Sequence, residues 1–245
     1  MFFRIGDKIM EKNKLVKVLK NNPRKNMGVI GFVENNPIKN IFQKGDSYII
    51  IGKSDHLWAY PVSSNKKEFL SLIGDIEIST RYYANLQDWM IPLITKGAQP
   101  EWHLKTRRYY FSEDIFIEEP RHEVDILKKE DIDVIIKNLK YGDHLTYETV
   151  LNRIESGISA GIRIDNSLVA WAITHDDKSL GFLHVLPQYR NRGLASDIAR
   201  YLIKKKRARD EAVYINIEPD NQKSIRMSEG LGFKYDRNIS WLKLK

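Results

Sequence analysis

Twelve consecutive residues constrain the fold of this chain more than any others. Val185-Leu186-Pro187-Gln188-Tyr189-Arg190-Asn191-Arg192-Gly193-Leu194-Ala195-Ser196 run from the end of an apolar segment through a short loop into a helical pattern. Leu180 to Val185 reads as a strand, and Leu194, Ile198 and Leu202 recur at helical spacing. Pro187 lacks a backbone donor, so strand pairing stops there and the backbone can peel away from its neighbour. Gly193 has no Cβ, which lets an anion approach the amides of Leu194, Ala195 and Ser196. First-turn amides have no intrahelical partner, and the helix dipole places about half a positive charge among them. A pyrophosphate would satisfy both, and Arg190 and Arg192 add two fixed charges at the mouth.

A second pattern follows in the segment Asn221-Gln222-Lys223-Ser224-Ile225-Arg226-Met227-Ser228-Glu229-Gly230-Leu231-Gly232-Phe233, where an Asn opens a helix that ends in a Gly-Phe step before a strand. Arg190-x-x-Gly193-x-Ala195 after an apolar strand resembles the acyl-coenzyme A signature of the GNAT acyltransferase superfamily, and the Asn221 segment is similar to its second signature. The order and separation match, and the resemblance covers about Glu123 to Lys245. It implies an α/β (α+β) fold, a mixed central sheet flanked by helices. It also implies acetyl-CoA or another acyl-CoA as co-substrate, held by Val185, Leu186, Arg190, Asn191, Arg192, Gly193, Leu194, Ala195, Ser196 and Asn221.

The 245 residues suffice for one large or two modest domains, and an apolar fraction of 42% is ordinary for a globular protein. No apolar run approaches the roughly 18 residues that span a bilayer, so no membrane partner is expected. The opening Met1-Phe2-Phe3-Arg4-Ile5-Gly6-Asp7 is too short and too soon charged for a signal peptide. With no cysteine, disulfides, thiolate metal sites and cysteine nucleophiles are excluded, and a cytoplasmic location is the expectation. The net charge of +8 invites a nucleic-acid reading, but a phosphate-rich co-substrate explains it more simply, and no nucleic-acid partner is expected. His56, His103, His122, His144 and His175 lack ligand spacing, so no metal site is expected.

Glu118-Glu119-Pro120 marks the expected boundary between an N-terminal α+β domain, 1–118, and an acyltransferase domain, 119–245. In the front part the patterns predict a basic amphipathic helix from Lys8 to Lys20 stopped by Asn21-Asn22-Pro23. Strands follow at Ser47 to Ile51 and Leu57 to Val62, then a helix from Ser64 or Asn65 to Gly74, and a strand from Trp102 to Phe111. Asn85 to Thr95 is a further apolar stretch, interrupted by Pro92. Behind the boundary they predict a strand from Glu123 to Leu127, helices at Glu130 to Leu139 and Thr146 to Ser156, and strands at Ser159 to Ile164, Leu168 to Thr174 and Leu180 to Val185. A helix to about Arg207, a strand from Ala212 to Ile217, the Asn221 helix and two closing strands, Phe233 to Tyr235 and Ile239 to Leu244, complete the reading. The layout is similar to the glycine N-acyltransferase-like branch, where a degenerate front half accompanies the active half. Asp55-His56-Leu57-Trp58-Ala59-Tyr60-Pro61 carries that likeness in front, although Trp58 and Tyr60 are better read as core aromatics on a strand.

Chemistry is expected where the strand ending at Val185 and the strand from Ala212 to Ile217 splay apart. An exposed amide around Val185 and Leu186 would then stabilise a developing oxyanion, a contribution of about 3 kcal/mol. The expected acceptor is a primary amine, of a small molecule or a peptide, which must lose a proton. Period-two alternation sets Phe182 and His184 on one face and Tyr214, Asn216 and Glu218 on one face of the neighbouring strand, so His184 or Glu218 is the candidate base. His184 also suits a satisfied core position.

Many GNAT enzymes carry a tyrosine acid seven residues after the signature Asn. That position is Ser228 here, a catalytic candidate whose hydroxyl could still hydrogen-bond the sulfur, and members of the glycine N-acyltransferase-like branch also lack the tyrosine. The glutamate of that branch is replaced by Ser179. These departures favour, as the alternative, an acyl-CoA-binding sensor or interaction module without catalysis. The residues leave the acceptor, the acyl-chain preference and the oligomeric state open.

Overall fold

The computed structural model describes residues 11–138 and 146–245. The chain separates into two compact units: one runs to His103 and regains Trp241–Lys245, and the other is Leu104–Ser240.

In the first unit, α1 (Lys12–Leu19) and α2 (Pro23–Asn35) precede β1 (Ile38–Lys44), β2 (Ser47–Lys53), β3 (Leu57–Val62), α3 (Lys66–Asp75), β4 (Tyr82–Leu86) and α4 (Ile91–Thr95). Residues 8–10 of the expected first helix lie outside the described residues. Asn21-Asn22-Pro23 ends α1, but Asn22 also caps α2 through a bond from the Lys25 amide, with Pro23 at its first position. Sequence patterns missed both α2 and β1. Antiparallel pairing joins β1 to β2 and β2 to β3, whereas β3 and β4 run parallel, joined by α3 as the crossover. Asn65, rather than Ser64, caps α3, its Oδ1 accepting from the amides of Lys67 and Glu68.

The second unit takes in most of β5 (Trp102–Phe111), then α5 (Ile132–Lys137), α6 (Tyr147–Ser156), β6 (Ser159–Ile164), β7 (Ser167–Thr174), β8 (Leu180–Val185), α7 (Leu194–Arg207), β9 (Val213–Ile217), α8 (Gln222–Leu231) and β10 (Lys234–Lys243) up to Ser240. Its strands lie in the order β10-β5-β9-β8-β7-β6. The β6–β7 hairpin turns on Asp165 and Asn166, both left-handed at φ 50° and 62°, the geometry of a tight two-residue turn. On one sheet face, Ala170, Ala172, Tyr109 and Val213 pack with Leu194, Ile198 and Leu202 of α7 and Ile225 of α8. On the other, Trp171 and Ile173 pack with Ile132 and Ile135 of α5 and Val150 of α6.

Three expectations change. The compact second unit begins at Leu104, not at 119, and the second half of β5, Arg107 to Phe111, pairs with β9 inside it. The strand expected from Glu123 to Leu127 reduces to one bridge, Asp125 to Gly161. The two closing strands are one, β10, since no residue between Tyr235 and Ile239 breaks it. The helix expected from Glu130 starts as a 3-10 turn before α5, and its last expected residue, Leu139, lies outside the described residues, as does His144. Among the described residues no helix is long and apolar enough to cross a membrane.

Candidate active site

The site arises from a failure of two parallel strands to stay together. β8 follows β7 as far as the pair Ala170↔Val185, but it meets β9 only at Leu180↔Ile215. Beyond that pair the β9 side of β8 is open. The Leu186 amide donates to the Val169 carbonyl at 2.9 Å. Ala170 and Val185 are therefore a non-hydrogen-bonded pair, and the N–H and C=O of Val185 point away from β7, into the opening. The Val185 carbonyl accepts there from Arg190 Nε at 3.1 Å.

A bulge adjusts the strand just before this point. Gly181 stands opposite Ile173 and His184 opposite Trp171, so β8 carries one residue more than β7 across the interval. Phe182 absorbs it with φ 50°, a costly conformation for an aromatic residue. Phe182 and His184 consequently share the α5/α6 side of the sheet, as the alternation predicted, and His184 stacks on Trp171 with ring centroids 4.7 Å apart. The buried Nε2 of His184 has no hydrogen-bond partner. Burial, with Arg190 close by, pushes the imidazole below its ordinary pKa, so at neutral pH the ring is uncharged.

After β8 the chain makes a 3-10 turn, Pro187–Tyr189, and enters α7 through Asn191 at φ 62° and Gly193 at φ 82°. Open space surrounds the position a Gly193 Cβ would take, with no atom within 4 Å. No side chain caps α7; Asp197 is the first residue whose amide bonds back, to the Gly193 carbonyl at 3.1 Å. The amides of Leu194, Ala195 and Ser196 thus remain free for a ligand. They open onto a groove of about 720 Å³. One wall comprises His184, Val185, Arg190, Asn191, Gly193, Leu194, Ala195 and Ser196, and the other is the start of α8, with Asn221, Lys223, Ser224, Arg226 and Met227. Among the described residues no acidic side chain lines it. Two helix N-termini and the cations Arg190, Lys223 and Arg226 therefore converge on one anion-favouring space.

Several expected residues occupy other places. Leu186 does not line the groove, and its amide is taken by Val169, so of the two expected amides only that of Val185 faces the opening. Arg192 lies outside the lining, its guanidinium 5.3 Å over the Tyr189 ring and bonded to the Gln188 carbonyl. Asn221 lines the groove and also caps α8, its Oδ1 accepting from the Ser224 amide at 3.2 Å. Glu218 is half-buried and outside the lining. Ser228 is 1% exposed and faces a separate inner cavity. Ser179 is spent in the turn before β8, its hydroxyl donating to Asp177 Oδ1 at 2.6 Å. Sequence reasoning missed Lys223 and Arg226. Their spacing of three places them on one face of a helix opened by Asn221, which was the available signal. Among the described residues no cluster of three His, Cys, Asp or Glu could hold a metal ion.

The model of the FR47-like protein family matches residues 157–242, the stretch that carries the groove. Among solved structures, a Drosophila protein superposes with a TM-score of 0.79 at 14% identity, over 96% of this chain and 97% of its own. A GCN5-related N-acetyltransferase from Kribbella flavida gives 0.58 at 12% identity, covering 90% and 94%. A GCN5-related N-acetyltransferase-like protein from Streptococcus suis gives 0.55 at 13%, covering 96% and 98%. No curated protein sequence matches the chain. The fold is that of the GNAT acetyltransferases, a mixed sheet flanked by helices.

Proposed function

We propose that this chain is an acyl-CoA-dependent N-acyltransferase in which a primary amine attacks the thioester directly within a ternary complex, with acetyl the default acyl group. The single observation that carries the reading is the uncapped N-terminus of α7, opening at Gly193 onto a cationic groove beside the unpaired edge of β8. The amides of Leu194, Ala195 and Ser196 with Arg190 would hold the pyrophosphate, and Lys223 and Arg226 the remaining phosphate charge. Acyl-CoA supplies an activated carbonyl and a thiolate leaving group of pKa near 8.5. The N–H of Val185 points into the opening and would receive the developing negative charge on that carbonyl.

His184 is the base the geometry supports best. It lines the groove, its Nε2 is unpartnered, and it is held neutral, so it can take a proton directly or through a water. Glu218 is the alternative base. No cysteine is available for an acyl-enzyme. The buried Ser228 in the tyrosine's place accords with the glycine N-acyltransferase-like branch, and the parallel β3-α3-β4 crossover of the first unit accords with a degenerate counterpart in the front half.

The second reading, a sensor that binds acyl-CoA without turnover, draws support from Ser228, which stands in the tyrosine's place but is 1% exposed and lies outside the groove lining. Calorimetric titration with acetyl-CoA and free CoA, beside Gly193→Glu, tests the binding that both readings require: micromolar affinity lost in the variant is expected. Thiol release on adding a panel of amines then separates enzyme from sensor. A wild-type chain that binds neither ligand would overturn both.

A further inference from the structure

Leu180 and Leu183 of β8 both pack on the α7 side of the sheet, although they stand three apart. Odd and even residues of a regular strand face opposite sides, so something between them changes the parity. The bulge at Phe182 does so. If pairing simply carried on from Ile173↔Gly181, His184 would stand opposite Ala170 with its ring turned to the α7 side. The Val185 amide would then fall to the Val169 carbonyl. One extra residue therefore decides where both reactive groups of the groove end up. A bulge position with positive φ suits glycine, yet here it bears an aromatic ring, and such a conformation persists only where the surroundings hold it. Two side chains hold this one. Arg153, on the face of α6 that presents Val150 and Ile154 to the sheet, sets its guanidinium 5.2 Å from the centre of the Phe182 ring. His175, in the turn between β7 and β8, tilts against the same ring with centroids 4.6 Å apart. The two are joined, Arg153 Nη1 donating to His175 Nδ1 at 3.2 Å, since a guanidinium can only donate. The imidazole also presses on the backbone just before the bulge, where a Cβ on Gly181 would meet its Nε2 at 2.0 Å.

Resting on the acyl-transfer reading above, we propose that Arg153 is a positioning residue for that reaction. With His175 it clamps the Phe182 ring and keeps β8 in the bulged register, which turns the Val185 amide into the opening and the His184 ring to the α5/α6 side. Arg153 is absent from the groove lining, so it acts through β8 and not on a ligand. Removing it takes a cation from the ring and a donor from His175, and the left-handed conformation of Phe182 loses what offsets it. The strand is then free to relax by one residue, exchanging the Val185 amide for that of Leu186 at the Val169 carbonyl.

Amide hydrogen exchange followed by NMR on the full chain, with no ligand added, reads the register directly. In the wild type the Leu186 amide, bonded to Val169, should exchange at least about tenfold more slowly than the Val185 amide, which faces the opening. Arg153→Leu should lower that ratio by about tenfold or more, as the Val185 amide takes the Val169 carbonyl. Adding Phe182→Gly to Arg153→Leu should restore the wild-type order, because glycine adopts a positive φ without a clamp. Should Arg153→Leu fail to fold, Arg153→Gln takes its place in both chains. Free-CoA affinity should stay within about twofold in the Arg153 variant, since the phosphate-binding amides lie on the other side of the sheet, whereas thiol release with a reactive amine should fall at least about tenfold. An exchange ratio unmoved by the Arg153 variant overturns the inference and leaves the proposed function standing. A ratio that moves but is not restored by Phe182→Gly overturns it too, since the loss then does not run through the bulge. A wild-type chain that binds CoA and releases no thiol with any amine overturns the enzymatic reading on which the inference rests, whatever the exchange ratio.

Discussion

The two units each contain a strand-helix-strand crossover between parallel strands, and their helix N-termini are finished in opposite ways. In β3-α3-β4, the Asn65 side chain accepts from the amides of Lys67 and Glu68, and Ser63 Oγ accepts from the Asn65 amide. Every donor that such a cap can satisfy is satisfied within the chain. In β8-α7-β9, Gly193 occupies the corresponding place with no side chain to offer. The same supersecondary unit is therefore self-contained in one unit and incomplete in the other. An incomplete helix start is costly unless solvent or a ligand completes it, and here it faces a groove that no acidic residue lines among the described residues. The contrast locates function in a deficit, a set of donors that the local sequence does not satisfy.

Closing the open crossover should have the largest effect. Gly193→Glu places a carboxylate where phosphate is expected and a Cβ at φ 82°, so CoA affinity should fall at least about a hundredfold, since like charges in contact cost several kcal/mol. Removing the opposite wall is milder: Lys223→Ala with Arg226→Ala should weaken CoA about tenfold at low salt and less at high salt, measurable as a flatter salt dependence. Opening the closed crossover should leave CoA affinity untouched. Asn65→Ala is expected to cost only stability, about 1 kcal/mol by urea denaturation. A change in CoA binding there would contradict the separation of roles.

The smallest effect concerns His184. Its folded pKa lies below that of the unfolded chain, so protons favour the unfolded state: stability is full above the unfolded value of about 6.5 and declines as pH falls through and below it. Urea midpoints at about pH 7 and pH 5 should show this slope in the wild type, and His184→Gln should flatten it. An unchanged slope would show that the ring is not held neutral.

How much of this was legible in the sequence follows from how local each signal is. β5, β6, β8 and α7 were read to the residue or nearly so, because alternation, Pro187 and Gly193 act within a few positions. α2 was missed because Asn22-Pro23 is both a stop and a start. In addition, its buried run from Asn26 to Val33 is apolar nearly all round, with Gly28 and Gly31 lowering its propensity. In the site, the α7 amides, Arg190 and Asn221 were legible from motif spacing. Lys223 and Arg226 were not, since only tertiary packing brings the start of α8 to face the start of α7. The loss of the Leu186 amide to Val169 was equally invisible, because pairing parity depends on the bulge at Phe182, which no residue preference announces.

The return of Trp241–Lys245 to the first unit has a consequence for biosynthesis. Leu242 is fully buried among Ile49, Phe69 and Leu86, and the Leu244 amide donates to the Arg81 carbonyl. A ribosome makes these residues after all of the first 240, so during translation the earlier unit waits with an unfilled slot in its interior. Nascent chains arrested before Trp241 should be cleaved by protease within residues 11–103, and chains extended past Lys245 and released should lose that sensitivity.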